Sequence, residues 1–203
     1  LLILPAWLSV PEEHAQRLVL KMDPGSAFGT GSHPTTRLCL EALEAAPPEG
    51  LRVADLGCGS GVLGLAALGL GAREVLAVDT DSLAVRATSE NAVLNNLAPG
   101  ALRVRQGSLE TLEPLLTGKP ADLLLCNILA PVIEALAPGF QSILSAQGRG
   151  LLSGLLDDKR LSVKDFGNFH NKSKIVFTFF FFNKFEVLVP TPFSKLRSDN
   201  KYS

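Results

Sequence analysis

A chain of 203 residues with 46% apolar content can bury one sizeable core, and no apolar run approaches the roughly 18 residues of a membrane span. Cys39, Cys58 and Cys126 lack metal-ligand spacing and are too few for a disulfide framework, so they read as reduced, buried thiols and no metal site is expected. The net charge of −1 conceals an asymmetry: residues 1–157 carry 10 Lys+Arg and 16 Asp+Glu, with no basic stripe for nucleic acid, whereas residues 158–203 carry 9 and 4.

The chain starts at Leu1, not Met, and no charged region precedes its apolar start, so it reads as a fragment without a visible signal peptide. Leu1–Val10, with Pro5 and Trp7, is an extended apolar lead-in. Arg17–Met22 alternates and suits a strand or hairpin arm, and Asp23-Pro24-Gly25 is a turn by residue type. Small, hydroxylated and glycine residues then crowd Ala27 to Thr36 ahead of a helix that Thr35 or Thr36 can cap. Its apolar positions Leu38, Leu40 and Leu43 continue to Ala46, and Pro47-Pro48 ends it.

Leu51–Leu56 is a short apolar run that stops at a glycine cluster, as a buried parallel strand feeding a tight turn does. Val62–Leu70 reads as a helix packed on a sheet, and Glu74–Val78 as a second strand ending at Asp79 and Asp81. Strand, glycine turn, helix and acid-ended strand make the first half of a nucleotide-binding crossover. The glycines admit a ligand that a Cβ would repel, and the acid can accept both ribose hydroxyls. Gly59, Gly61 and Gly64 spell G-x-G-x-x-G, with Asp79 20 residues after Gly59, which on its own is a weak dinucleotide signal. More telling is Asp55-Leu-Gly57-Cys-Gly59-Ser-Gly61, an acid before three alternating glycines.

Ser82–Leu97 reads as a surface helix with apolar or small residues at Leu83, Val85, Ala87, Ala92 and Val93, ended by Pro99-Gly100. Leu102–Arg105 is the third strand, followed by a loop in which Ser108 is either an adenine contact or a plain loop serine. Ala121–Cys126 is continuously apolar and suits the centre of a parallel sheet. Asn127-Ile128-Leu129 then sits at the carboxyl end of a central strand, where ligands bind in open α/β sheets. There the Asn127 carbonyl, with a nearby backbone carbonyl, can accept hydrogen bonds from an incoming amine; the plain alternative is an Asx turn. Pro131–Leu136 begins the next helix and Arg149–Ser153 the next strand.

Composition changes beyond this point. All 21 alanines lie at or before Ala146, while 9 of the 11 phenylalanines lie at or after Phe166. The chain therefore divides into a domain at 1–157 and an atypical basic, Phe-rich tail at 158–203, foreign to the domain in composition. Ile175–Phe182 and Phe185–Val189 can imitate a hairpin across Asn183-Lys184. Phenylalanine at 179–182 falls on both faces, however, so the tail is expected to pack poorly.

Together AFGTGSHPTTRLCLEAL, VADLGCGSGVLGLAAL, AVDTD, LLLCNILAPVIEALAP and GLLSGLL resemble the methyltransferases that modify ribosomal protein L-eleven, the PrmA type. The lysine methyltransferases of the electron-transfer flavoprotein beta subunit share part of the pattern. The resemblance covers residues 1 to about 157. It implies an α/β, Rossmann-like class I methyltransferase, mostly parallel, with helices on both faces and its C-terminal strands replaced or missing. The family's separate N-terminal substrate-recognition domain has no counterpart in these residues.

The resemblance further implies S-adenosyl-L-methionine as cofactor, held by Thr36, Gly57, Asp79 and Asn127. Gly59 and Gly61 shape the loop, and Asp55 serves as acceptor for the cofactor ammonium or as organiser of the turn. Asn127 is the catalytic residue, orienting a lysine amine of a protein substrate. The family implies a cytoplasmic setting, or a mitochondrial or plastid one had a targeting segment been lost. His33 reads as a loop hydrogen bonder and not as a base. Three alternatives stay open: a methyltransferase of a nucleic-acid amine or small molecule, a non-catalytic cofactor-binding remnant, and an NAD-dependent dehydrogenase. The last leaves the Phe28–Thr36 and Asn127–Leu129 motifs unexplained.

Overall fold

The computed structural model describes residues 1–23, 33–155, 176–181 and 184–188. The turn at Pro24-Gly25, the glycine-rich stretch from Ala27 to Gly31 and most of the tail lie outside them. Leu2–Pro5 (β1) and Val19–Met22 (β2) form a two-stranded sheet, Leu2 opposite Val19 and Pro5 opposite Met22. The pair is parallel and not a hairpin, because the connection runs back past a short 3-10 turn at Glu12–His14 before the second strand starts.

The remaining elements alternate: Pro34–Ala45 (α1), Arg52–Leu56 (β3), Val62–Gly69 (α2), Glu74–Asp79 (β4), Ser82–Leu94 (α3), Leu102–Gln106 (β5), Leu109–Leu116 (α4), Ala121–Asn127 (β6), Ala130–Leu136 (α5), Phe140–Ile143 (α6) and Leu144–Leu155 (β7). Val176–Phe181 (β8) and Lys184–Leu188 (β9) follow. Strand order is β5-β4-β3-β6-β7-β8-β9, parallel except for antiparallel β9. Within the tail, which was expected to pack poorly, β8 pairs with the edge of β7 and β9 runs antiparallel to β8.

Successive strand residues supply opposite faces, and both faces are buried, which is why the strands read as unbroken apolar runs. Val53, Val75, Ala77, Leu123, Leu125 and Leu151 pack with α1, α2 and β2. Ala54, Leu56, Leu76, Val78, Leu124, Cys126 and Leu152 pack with α4, α5 and α6. At the amino ends of the strands, buried Arg52 ion-pairs with Glu74 at 3.0 Å and donates to the carbonyls of Leu115 and Lys119. That end is thereby tied shut. All three cysteines are free and buried, and burial pushes the Cys39 thiol up to about 12.

Two expectations change. Leu83 and Val93 face solvent on α3, which instead buries Ala84, Ala87, Thr88 and Asn91, a stripe at helical spacing. The N-cap of α1 is His33, whose Nδ1 accepts from the Thr35 N–H at 3.3 Å, because Pro34 takes the first helical position.

Candidate active site

The chain leaves β3 for β4 and β5, then returns to β6 on the other side of β3. Adjacent strands thereby send their connections in opposite directions, and a crevice opens at their carboxyl ends. A cavity of about 450 Å³ lies there. Thr36, Asp55, Gly57, Gly59, Asp79 and Asn127 all reach its wall, delivered by α1, β3, the turn after β3, β4 and β6. Gly61 does not; it supports the turn from beneath as N-cap of α2. Ser108 is not on the wall either, being the N-cap residue of α4, with its backbone N–H bonded to Glu110.

The turn after β3 has left-handed backbone at Gly57 and Gly61, φ +77° and +83°. A Cβ on Gly57 would overlap the Ile128 side chain, and one on Gly61 would sit 2.8 Å from Thr88 Cγ2. Helix α3 braces the turn from outside: Thr88 Oγ1 donates to the Gly59 carbonyl at 3.0 Å, and Asn91 Nδ2 to that of Ser60 at 2.9 Å. Sequence reading passed over both residues. The spacing of Ala84, Ala87, Thr88 and Asn91 was the available signal, obscured because two of the four are polar.

Asp79 accepts the Gly59 N–H through Oδ2 at 2.9 Å and the Asp81 N–H through Oδ1 at 3.0 Å. A carboxylate has about four lone-pair sites, so two remain for a ligand. Asp55 is 1% exposed, and its Oδ2 accepts the Gly64 N–H at 3.1 Å. Burial raises its pKa to about 7; the Gly64 hydrogen bond opposes the rise and the negative charge of Asp79 adds to it. At the end of β6, Asn127 Nδ2 donates to Thr36 Oγ1 at 3.1 Å, and Thr36 is 3% exposed. This bond fixes the amide and leaves Oδ1 as an acceptor. His33, Leu129 and Gly154 complete the parts of the wall that matter below.

An open, largely parallel sheet with helices on both faces and this cavity at its carboxyl edge defines a Rossmann-like class I methyltransferase domain. Residues 1–176 match the family described as ribosomal protein L11 methyltransferase (PrmA). Among similar proteins, the ribosomal protein L11 methyltransferase of Parasynechococcus marenigrum is 72% identical over 159 residues, 78% of this chain and 55% of the relative. One from a Synechococcus species is 71% identical over 159 residues, 78% of this chain and 52% of the relative. The crystal structure of the ribosomal protein L11 methylase from Lactobacillus delbrueckii subsp. bulgaricus superposes with a TM-score of 0.63 at 30% identity, over 87% of this chain and 74% of that one. The chain belongs to the ribosomal protein L11 methyltransferase family, and it spans about half the length of the curated relatives it matches. The family match runs past residue 157, where the composition changes, to residue 176.

Proposed function

We propose that this chain is the catalytic domain of a protein-lysine N-methyltransferase that uses S-adenosyl-L-methionine and acts on ribosomal protein L11. The observation that carries the reading is the pairing, across one cavity, of a glycine turn bound to Asp79 with an asparagine amide fixed by Thr36. The residues fit the cofactor. Gly57 and Gly59 line the cavity, Asp79 keeps acceptor capacity for a ribose diol, and Asp55 offers a buried carboxylate to an ammonium. When bound, S-adenosyl-L-methionine supplies an electrophilic sulfonium methyl group.

The chain's own work is orientation. Asn127 Oδ1 accepts an N–H of the substrate amine and thereby aims the nitrogen lone pair, an advantage of geometry more than of acid–base chemistry. A lysine ammonium with a pKa near 10.4 must shed a proton before it can react. Entry into a cavity walled by Ile128, Leu129, Val62 and Leu63, next to a cation, pushes that pKa down. Asp55 and Asp79 are engaged by backbone N–H groups and His33 caps α1, so we assign none of them the role of base. Among the described residues no helix is long and apolar enough to cross a membrane. A ribosomal substrate in bacterial relatives argues for a cytoplasmic setting.

Calorimetric titration with S-adenosyl-L-methionine and, separately, NAD tests the cofactor. Methyl transfer to purified ribosomal protein L11, with the electron-transfer flavoprotein beta subunit and a tRNA mixture as competitors, tests the substrate. Binding of NAD alone, or methylation of RNA in preference to either protein, overturns the reading.

A further inference from the structure

Gly154 belongs to the GLLSGLL stretch on β7, a motif to which the cofactor cradle gives no task. It has φ +94° and sits where the β7–β8 register shifts, between Ser153 and Leu155. A Cβ there would lie 2.9 Å from the Ile128 carbonyl carbon and closer still to its oxygen. No side chain other than hydrogen lets the Ile128 peptide occupy that place. On its other side Ile128 is pinned too, because its Cγ2 fills the space that a Cβ on Gly57 would take. The residue after Asn127 is thus wedged between the cofactor turn of β3 and the bulge of β7, and all three of these residues line the cavity.

We propose that Gly154 is a positioning residue for the substrate amine: by leaving room for the Ile128 peptide, it sets the backbone carbonyl that shares the amine with Asn127 Oδ1. This rests on the reading of Asn127 as the amine acceptor. An amine donating two hydrogen bonds has its lone pair direction fixed, whereas one donating a single bond still rotates about it.

The test uses the full 203-residue chain and two ligands. One is S-adenosylhomocysteine. The other is its aza analogue, in which nitrogen replaces sulfur and carries a short aminoalkyl arm that reaches the amine site. The ratio of their dissociation constants reads the acceptors without turnover. In the unchanged chain the arm should raise affinity at least about tenfold, as roughly two net hydrogen bonds do. In Gly154→Ala the gain should fall below about threefold while S-adenosylhomocysteine affinity changes by less than about threefold. Ile128→Ala, which removes the wedge against Gly57 without adding atoms, should lower the gain in the same direction and keeps the test open should Gly154→Ala fail to fold. A full gain retained in a folded Gly154→Ala protein, or in Ile128→Ala where that protein does not fold, overturns the proposal. So does equal loss of affinity for both ligands, which would make Gly154 part of the cofactor cradle. S-adenosylhomocysteine binding with no gain from the arm in the unchanged chain overturns the amine-acceptor reading itself, and this proposal with it.

Discussion

Asp55→Asn separates the charge of the buried carboxylate from its shape. Burial raises the pKa from 3.8 to about 7, so between those values the folded state binds a proton that the unfolded state has released. Stability from this group therefore falls as pH rises, the reverse of a salt-bridged carboxylate. The full shift corresponds to about 4 kcal/mol; the part that develops between about pH 5.5 and pH 8.5 is roughly 2 kcal/mol. Asparagine keeps an oxygen for the Gly64 N–H and carries no charge. The variant should gain on the unchanged chain by that roughly 2 kcal/mol across the window, or about 4–8 °C in unfolding midpoint for a domain of this size. Comparing the two proteins cancels the other titrating groups. A ligand ammonium at Asp55 requires the ionised form, so S-adenosylhomocysteine should release close to one proton on binding at about pH 6 and almost none at about pH 8.5. Calorimetry in buffers of different ionisation enthalpy counts those protons. Parallel stability profiles for the two proteins, or binding without proton release at about pH 6, would show that Asp55 is ionised throughout and that the cation sits elsewhere.

Asp79→Ala leaves the Gly59 N–H and two ribose donors without their acceptor. Adenosylmethionine affinity should drop about 10- to 100-fold, and an unchanged dissociation constant in a folded protein refutes the assignment. Thr36→Val keeps the shape of the buried residue but removes the oxygen that holds Asn127 Nδ2. Turnover with ribosomal protein L11 should fall by about tenfold or more, with cofactor affinity changed by less than about threefold; equal losses would make Thr36 a cofactor contact. Deleting residues 159–203 should preserve the cooperative unfolding transition and not lower soluble yield, since their composition is foreign to the domain. Loss of the transition would show that β8 and β9 belong to the core.

The parts of the site that were legible in the sequence are those whose physics is local. The run from Leu51 to Asp79 carries its own signals: apolar strands bounded by glycine, positive φ that only glycine adopts freely, and an acid where a strand ends. Structure moves those boundaries by one residue at most. Asn127 was placed for the same reason, at the close of an unbroken apolar strand. Helix α4 went unread because it is short and contains Pro114, and its face is defined only by contact with β4 and α6. Thr88 and Asn91 were hidden by polarity: a buried polar residue announces itself only through the partner it meets, here the carbonyls of a turn some 30 residues away. Gly154 is the extreme case. Inside a strand a glycine signals a bulge or a close approach, but not to what. The partner is a peptide just past the end of the neighbouring strand, 26 positions earlier, and the constraint exists only once β6 and β7 are side by side. Residues that bind through their own groups can be picked out one at a time, whereas residues that position other residues become visible only when the sheet has been assembled.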